Sequence, residues 1–144
     1  MEANPILAPA AVLVLWSLVV LSWMVVTRLG GFARAGLKLN EAEPGSRYVD
    51  VEASMPARVN WVSHNHTHLM EQTTLFYAVV AMLALAGDTG PVSLAFAWGY
   101  VVLRVAHSLW QCLVNTIPVR VTLFSLMTLC LFVMAVNAVR LTLF

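Results

Sequence analysis

Charged side chains are scarce in this sequence of 144 residues, in which Lys, Arg, Asp and Glu make up 10% and hydrophobic residues make up 60%. An ordinary soluble domain carries about 25% charged residues, so the composition excludes such a domain and indicates a membrane protein. The formal net charge is only +1, and basic residues form no run. We therefore expect no nucleic-acid partner.

Cysteine is also scarce, since the sequence contains only Cys112 and Cys130. Both fall in apolar segments, and their spacing is not that of a metal site. We interpret the two cysteines as packing residues.

Long apolar segments are abundant, and four of them are long enough to cross a bilayer, which takes about 20 residues in a helix. They cover residues 5–28, 58–86, 91–114 and 118–140. The first segment is expected to be a retained span rather than a signal peptide, because no basic residues precede it and no small-residue cleavage site follows it. The sequence predicts an all-α protein with one domain, residues 1–144, built as a bundle of four transmembrane helices.

The connections between the spans predict their orientation. A short turn of Gly87, Asp88, Gly90 and Pro91 returns the third span antiparallel to the second. Basic residues concentrate in and beside the loop 29–57, namely Arg28, Arg34, Lys38, Arg47 and Arg58. The positive-inside rule therefore places this loop in the cytoplasm, and we expect a multi-pass protein of the cell (inner) membrane. The loop is either a lid over a site or a plain solvated connection.

Polar side chains interrupt the second and third spans along one face of each helix. They are His64, His68 and Glu71 on the second span, and Arg104, His107 and Gln111 on the third. In an antiparallel hairpin centred on the Gly87 turn, His64 falls opposite Gln111, His68 opposite His107, and Glu71 opposite Arg104. We expect these pairs to form a polar ladder, with Glu71 and Arg104 as an ion pair at its deepest point.

Ionisable groups inside a membrane are costly and usually mark a site, although polar residues can also simply hold helices together. Arg120 and the basic residues of the first loop, Arg28 among them, place cations at the mouth of the ladder, where an anionic ligand could enter. The set His64, His68, Glu71 and His107 could instead bind a metal. Because Arg104 would compete for Glu71 and repel a cation, we predict no metal site, and the same cation argues against a proton or cation transporter.

Two stretches resemble the MAPEG family, the membrane-associated proteins in eicosanoid and glutathione metabolism. One is PARVNWVSHNHTHLMEQTTLF, at residues 56–76. The other is LRVAHSLWQCLVNTIPVR, at residues 103–120, whose Arg-Val-Ala-His and spacing to Pro-x-Arg are the more specific signal. The resemblance implies a homotrimer of four-helix subunits, with glutathione bound between subunits in a cytoplasm-facing cleft.

The resemblance also implies roles for individual residues. Arg120 matches the arginine that stabilises the glutathione thiolate, and Glu71, Arg104 and His107 match residues that bind glutathione. His64, His68 and Gln111 stand where the family has arginine, asparagine and tyrosine, and we expect them to line the same site together with Arg28. The expected activity is a glutathione-dependent transferase or peroxidase acting on a lipophilic small molecule that arrives from the bilayer. The alternative is a non-catalytic protein of the same fold that binds membrane lipid or a protein partner.

Overall fold

The computed structural model describes residues 4–144, which fold into five α-helices and, within that range, no strand. The four long helices are α1 (Leu7–Arg34), α3 (Ala57–Leu85), α4 (Pro91–Leu113) and α5 (Ile117–Leu143), and the short α2 covers Tyr48–Val51. Two 3₁₀ helices, Leu39–Glu41 and Glu52–Ser54, flank α2. All four long helices have the length and hydropathy of membrane spans, so the predicted all-α four-span architecture is confirmed. Helix α1 continues six residues past the predicted end of the first span.

The hairpin between α3 and α4 is formed by residues that stop one helix and start the next. Gly87 adopts a left-handed conformation with φ of 73°, and the N–H groups of Gly87 and Asp88 donate to carbonyls in the last turn of α3. This is the usual glycine-based helix ending. The Asp88 carboxylate then accepts from the Gly90 N–H, and Pro91 begins α4, a position at which proline is well tolerated.

The helices pack in two pairs, α1 along α3 and α4 along α5, and α3 joins the pairs by contacting both α4 and α5. The apolar core lies between them and includes Leu13, Leu69 and Met127. It includes the stacked rings of Phe76 and Tyr100, whose centroids are 4.4 Å apart. Large apolar side chains such as Val26 and Phe132 are exposed on the outer faces of α1 and α5, which suits lipid contact rather than water.

The segment between α1 and α3 folds back onto α3 through polar side chains. The Tyr48 hydroxyl donates to Asn60 Oδ1 across 2.6 Å, and Asn60 Nδ2 donates to the Glu52 carbonyl across 3.0 Å. His64 Nε2 donates to the Glu52 carboxylate in a further contact with the loop. The loop is therefore attached to the first two turns of α3.

Candidate functional site

A cavity of about 370 Å³ opens where α3, α4 and the first turns of α5 meet. Three of its lining residues are basic or polar, His68, His107 and Arg120, and three are apolar, Ile117, Val121 and Phe124. The side formed by α3 and α4 carries two imidazoles, and the side formed by α5 carries the Arg120 guanidinium among three apolar residues. This combination of a mostly apolar wall with a few placed polar groups is typical of ligand sites.

His68 and His107 face each other at the predicted matching depth. Their rings stack with centroids 5.1 Å apart and an angle of 23° between planes, and His68 also contacts the ring of Phe124 at 5.3 Å. His107 is buried, and its Nδ1 has no hydrogen-bond partner within residues 4–144. An unpaired buried nitrogen is costly, so this atom is a candidate to contact a ligand or water.

Arg104 is completely buried, with 0% of its surface exposed. Its Nη1 donates to His68 Nδ1 across 3.0 Å. Its Nε and Nη2 have no partner in the described part of the chain. The guanidinium therefore contacts His68, which lines the cavity, and two of its nitrogens are left unpartnered in the described residues.

The predicted ion pair between Glu71 and Arg104 is wrong. Glu71 is exposed, and it forms no salt bridge with any residue of the described range. The cause is the face of α3 that packs inward: the buried stripe runs through Asn65, Leu69 and Phe76. Successive residues of a helix are rotated by about 100°. Glu71, two residues after Leu69, therefore points away from that stripe and faces out of the subunit.

The predicted contact between His64 and Gln111 is also absent, because His64 bonds Glu52 of the loop instead. Gln111 is buried, and its Oε1 is unpartnered among residues 4–144. Because the loop folds onto α3, His64 bonds a loop residue and does not join the predicted ladder. One of the three expected pairs, His68 with His107, is therefore present within a single subunit.

Arg120 is positioned by the turn between α4 and α5. Its Nη1 donates to Asn115 Oδ1 across 3.0 Å, whereas its Nε is buried and unpartnered in the described residues. Asn115 has a positive φ of 61°, which asparagine tolerates better than most residues. The left-handed turn thus ends α4 and places an amide oxygen against the guanidinium that lines the cavity.

Arg28 lies apart from this cavity within the subunit. Its Nε donates to Ser63 Oγ across 2.8 Å, and its guanidinium carbon is 3.8 Å from the centre of the Tyr48 ring. It lines a separate cavity formed by the first loop. The residues of the described chain also contain no group of three or more His, Cys, Asp or Glu side chains arranged to hold a metal ion.

Sequence reasoning missed several polar residues buried next to the site. Asn65 is fully buried, and neither its Nδ2 nor its Oδ1 has a hydrogen-bond partner in the described chain. Ser108 is also fully buried, and its Oγ likewise has no partner there. Asn65 belongs to the buried stripe of α3, four residues before Leu69. This helical spacing is the sequence feature from which its burial could have been predicted. Tyr48 and Ser63, which hold Arg28, gave no comparable signal because their contacts depend on how the loop folds.

The chemistry of the donors fits part of glutathione. Arg120 and His107, which line the cavity, and Arg104, which contacts His68, carry buried nitrogen atoms with no partner within residues 4–144, and such nitrogen donors suit carboxylates and a thiolate. No carboxylate lines the same cavity to receive an ammonium group. The fit is therefore good for the anionic groups and incomplete for the amino group within one subunit.

Four helices long and apolar enough to cross a membrane define an integral multi-pass membrane protein, and three of them line a cavity that contains Arg120. The chain matches the model of the MAPEG family over residues 6–140, nearly its whole length, and it belongs to that family. Members are four-helix membrane proteins, typically oligomeric and generally associated with glutathione, and some are non-catalytic. No curated protein and no solved structure shows significant similarity to this chain.

Proposed function

We propose that this protein is a glutathione-dependent transferase or peroxidase that acts on lipophilic electrophiles reaching it from the bilayer. The observation that carries this proposal is the shared cavity of Arg120, His68 and His107, which has an apolar wall of Ile117, Val121 and Phe124. A charged group and a lipophilic surface meet there on the first turns of α5, as a reaction between a polar thiol and an apolar substrate requires.

Arg120 is the proposed catalytic residue. Glutathione supplies the nucleophilic thiol, and a guanidinium beside the sulfur favours the thiolate form that attacks. The hydrogen bond from Arg120 Nη1 to Asn115 holds the guanidinium at the cavity while leaving other N–H groups available. The apolar residues on the first turns of α5 would exclude water from the reacting sulfur.

Cofactor binding is assigned to Arg104, His107, His68, His64 and Gln111 on α3 and α4. Of these five residues, His68 and His107 line the cavity of their own subunit. We propose that Glu71 and Arg28 join the site through a neighbouring subunit. An exposed carboxylate on a membrane-spanning helix is costly in lipid, and this supports a homotrimer in which a second copy covers Glu71. Glu71 would then receive the ammonium group that the subunit's own cavity leaves unmatched. The basic residues of loop 29–57 support a cytoplasmic position for this loop in the inner membrane.

The test is turnover of a lipophilic electrophile by the detergent-purified protein with reduced glutathione. We expect Arg120→Ala to lower kcat/KM by about 100- to 1,000-fold, the usual effect of removing a donor that stabilises developing negative charge. Arg140→Ala is the matched control, because Arg140 is an exposed arginine near the other end of the same helix. Equal turnover by wild type and Arg120→Ala would remove Arg120 from the mechanism.

A second candidate function is non-catalytic binding of membrane lipid or a protein partner. The observation that favours it is that His64, at a position where the resemblance implies an arginine, bonds Glu52 of the loop, and that His68 uses one Arg104 nitrogen. Neutral side chains cannot form the charged bidentate fork by which arginine binds a carboxylate. This function predicts saturable lipid binding with no consumption of thiol, and measured conjugation would exclude it.

A further inference from the structure

A second cavity, of about 450 Å³, lies between the end of α1 and the segment that follows it. We call it the loop cavity. It shares no lining residue with the cavity of His68, His107 and Arg120. Its volume is within the range of about 300–1,000 Å³ that holds small ligands.

Arg28 is the best-fixed cation of the loop cavity. Its Nε is used by Ser63 Oγ, and its guanidinium stacks over the ring of Tyr48 at 3.8 Å. Neither terminal nitrogen of Arg28 has an acceptor among residues 4–144. The side chain is therefore oriented by two contacts, and its two terminal N–H₂ groups remain available to an anion, which is the geometry in which arginine binds phosphate well.

The wall of the loop cavity is attached to the membrane helices. Tyr48, which orients Arg28, is itself fixed by its hydrogen bond to Asn60 of α3, and Asn60 also holds the Glu52 carbonyl. Phe32 of α1 packs against Tyr48 with ring centroids 6.1 Å apart. The site is thus largely formed before any ligand binds, and this lowers the entropic cost of binding.

The remaining lining residues combine positive charge with apolar surface. Lys38 and Arg47 also line the cavity, and each has an exposed acidic neighbour, Glu41 and Asp50 respectively. Of these two acidic residues only Glu41 reaches the cavity, so cations outnumber carboxylates in its lining. Apolar lining residues include Phe32, Leu37, Leu39 and Val51.

The expected position of the loop cavity near the membrane surface favours a lipid headgroup as its ligand. Residues 5–27 contain no charge, and Arg28 is the first charged residue after them. The length of this apolar segment predicts that Arg28 lies near the lipid headgroups. Leu37 and Leu39 are exposed, with 39% and 61% of their surface accessible, and they follow α1 directly. Cationic pockets at this depth bind anionic lipid headgroups.

We propose that the loop cavity binds the headgroup of an anionic phospholipid, with its phosphate on Arg28 and its first apolar groups against Phe32, Leu37 and Leu39. This inference assigns Arg28 to a lipid phosphate rather than to the cofactor of a neighbouring subunit, and it does not depend on Arg120 or on the cavity that Arg120 lines. The lipid would connect the loop to the membrane surface and stabilise the loop against α3.

The experiment measures binding of phosphatidylglycerol and of phosphatidylcholine to the full-length protein in mixed micelles, by native mass spectrometry and by the shift in thermal unfolding temperature. Wild type should bind phosphatidylglycerol more tightly than phosphatidylcholine. Arg28→Gln should weaken phosphatidylglycerol binding about five- to tenfold, as expected from the loss of one interfacial cation. Arg34→Gln is the matched control, because Arg34 is an exposed arginine on the same helix and does not line the cavity.

Three further arms separate the outcomes. Lys38→Gln with Arg47→Gln changes exposed side chains only and should give a partial loss, so the proposal stays testable if Arg28→Gln fails to fold. Competition by millimolar inorganic phosphate that abolishes lipid binding would show a free-anion site instead. Arg120→Ala should keep the lipid preference. Equal affinity for both lipids, or equal losses in Arg28→Gln and Arg34→Gln, would overturn the proposal.

Discussion

Arg104 Nη1 donates a hydrogen bond to His68 Nδ1 across 3.0 Å, and the same His68 ring stacks on His107. An arginine side chain has donors only, so His68 Nδ1 must be an unprotonated acceptor. The His68 ring is therefore neutral and carries its proton on Nε2. This bond lets a buried guanidinium and a histidine lie next to each other without charge repulsion, and it presents an N–H of defined position at the cavity.

Replacing His68 tests this relationship. His68→Ala would leave another buried Arg104 donor unpaired, and we expect a loss of about 1–3 kcal/mol in the free energy of unfolding. His68→Asn should lose less, because its amide oxygen can accept from Arg104. His66→Ala is the control, since His66 is partly buried on the same helix and makes no such bond within residues 4–144. Unfolding in detergent, followed by circular dichroism, measures the difference, and equal losses in all three variants would contradict the assignment.

The helices could be predicted because length and apolar content determine whether a segment crosses a membrane. The hairpin followed from Gly87 and Pro91, and the depth match of His68 with His107 followed from the antiparallel geometry. The pairing of Glu71 with Arg104 failed because α3 is apolar on several faces: Leu75, Met82 and Leu85 are exposed while Leu69 and Phe76 are buried. In a membrane protein hydrophobicity does not distinguish the packed face from the lipid face, so sequence periodicity loses its usual information.

The contacts of the first loop could not be predicted for a different reason. Arg28 meets Tyr48 and Ser63, and His64 meets Glu52, through contacts between residues distant in sequence. No local pattern encodes such contacts, since each depends on the path of the loop as a whole. The sequence paired His64 with Gln111 instead of Glu52, and it predicted none of the contacts that Arg28 makes within the subunit.

Close packing of α1 on α3 depends on a glycine. A Cβ atom at Gly31 would lie 3.3 Å from the Met55 sulfur and from both Val59 methyl groups, whereas a Cβ at Gly30 meets nothing within 4 Å in the described structure. We expect Gly31→Leu to push the helices apart and to cost about 1–3 kcal/mol in the free energy of unfolding. Gly30→Leu should leave stability unchanged or slightly raised, because leucine favours a helix more than glycine does. Thermal unfolding of the two variants in one detergent makes the comparison, and a similar midpoint for both would show that α1 does not pack on α3 at Gly31.

Glu71 faces out of the subunit, so its role can be separated from folding. Glu71→Gln removes the charge but no contact inside the described subunit, and we expect an unchanged unfolding temperature for dissociated subunits. We expect glutathione affinity to fall about tenfold, the order of effect of losing one charge-assisted hydrogen bond in a binding site. Isothermal titration with reduced glutathione measures the affinity, and Glu43→Gln, which changes an exposed loop residue, is the control. Wild-type affinity in Glu71→Gln would place Glu71 outside the cofactor site.

Asn115 offers the sharpest test of how Arg120 is positioned, because its backbone and side-chain roles can be separated. Asn115→Gly keeps the positive φ without strain but removes the acceptor for Arg120 Nη1. We therefore expect Asn115→Gly to retain most of the stability and to lower kcat about tenfold, since the guanidinium is no longer oriented toward the thiolate. Asn115→Ala loses the same acceptor and also forces a non-glycine residue into a left-handed turn, at a further cost of about 1–2 kcal/mol.

Asn115→Asp completes the series, because aspartate tolerates the left-handed conformation and keeps an acceptor oxygen. Its negative charge pairs with Arg120 and competes with the thiolate for the guanidinium, so we expect a stable protein with reduced turnover. The expected order of unfolding temperatures is Asn115→Asp above Asn115→Gly above Asn115→Ala, whereas all three variants turn over more slowly than wild type. If Asn115→Gly retained full turnover while unfolding normally, the hydrogen bond between Asn115 and Arg120 would serve the turn alone, and the orientation of Arg120 would have to come from a neighbouring subunit or from the bound thiol.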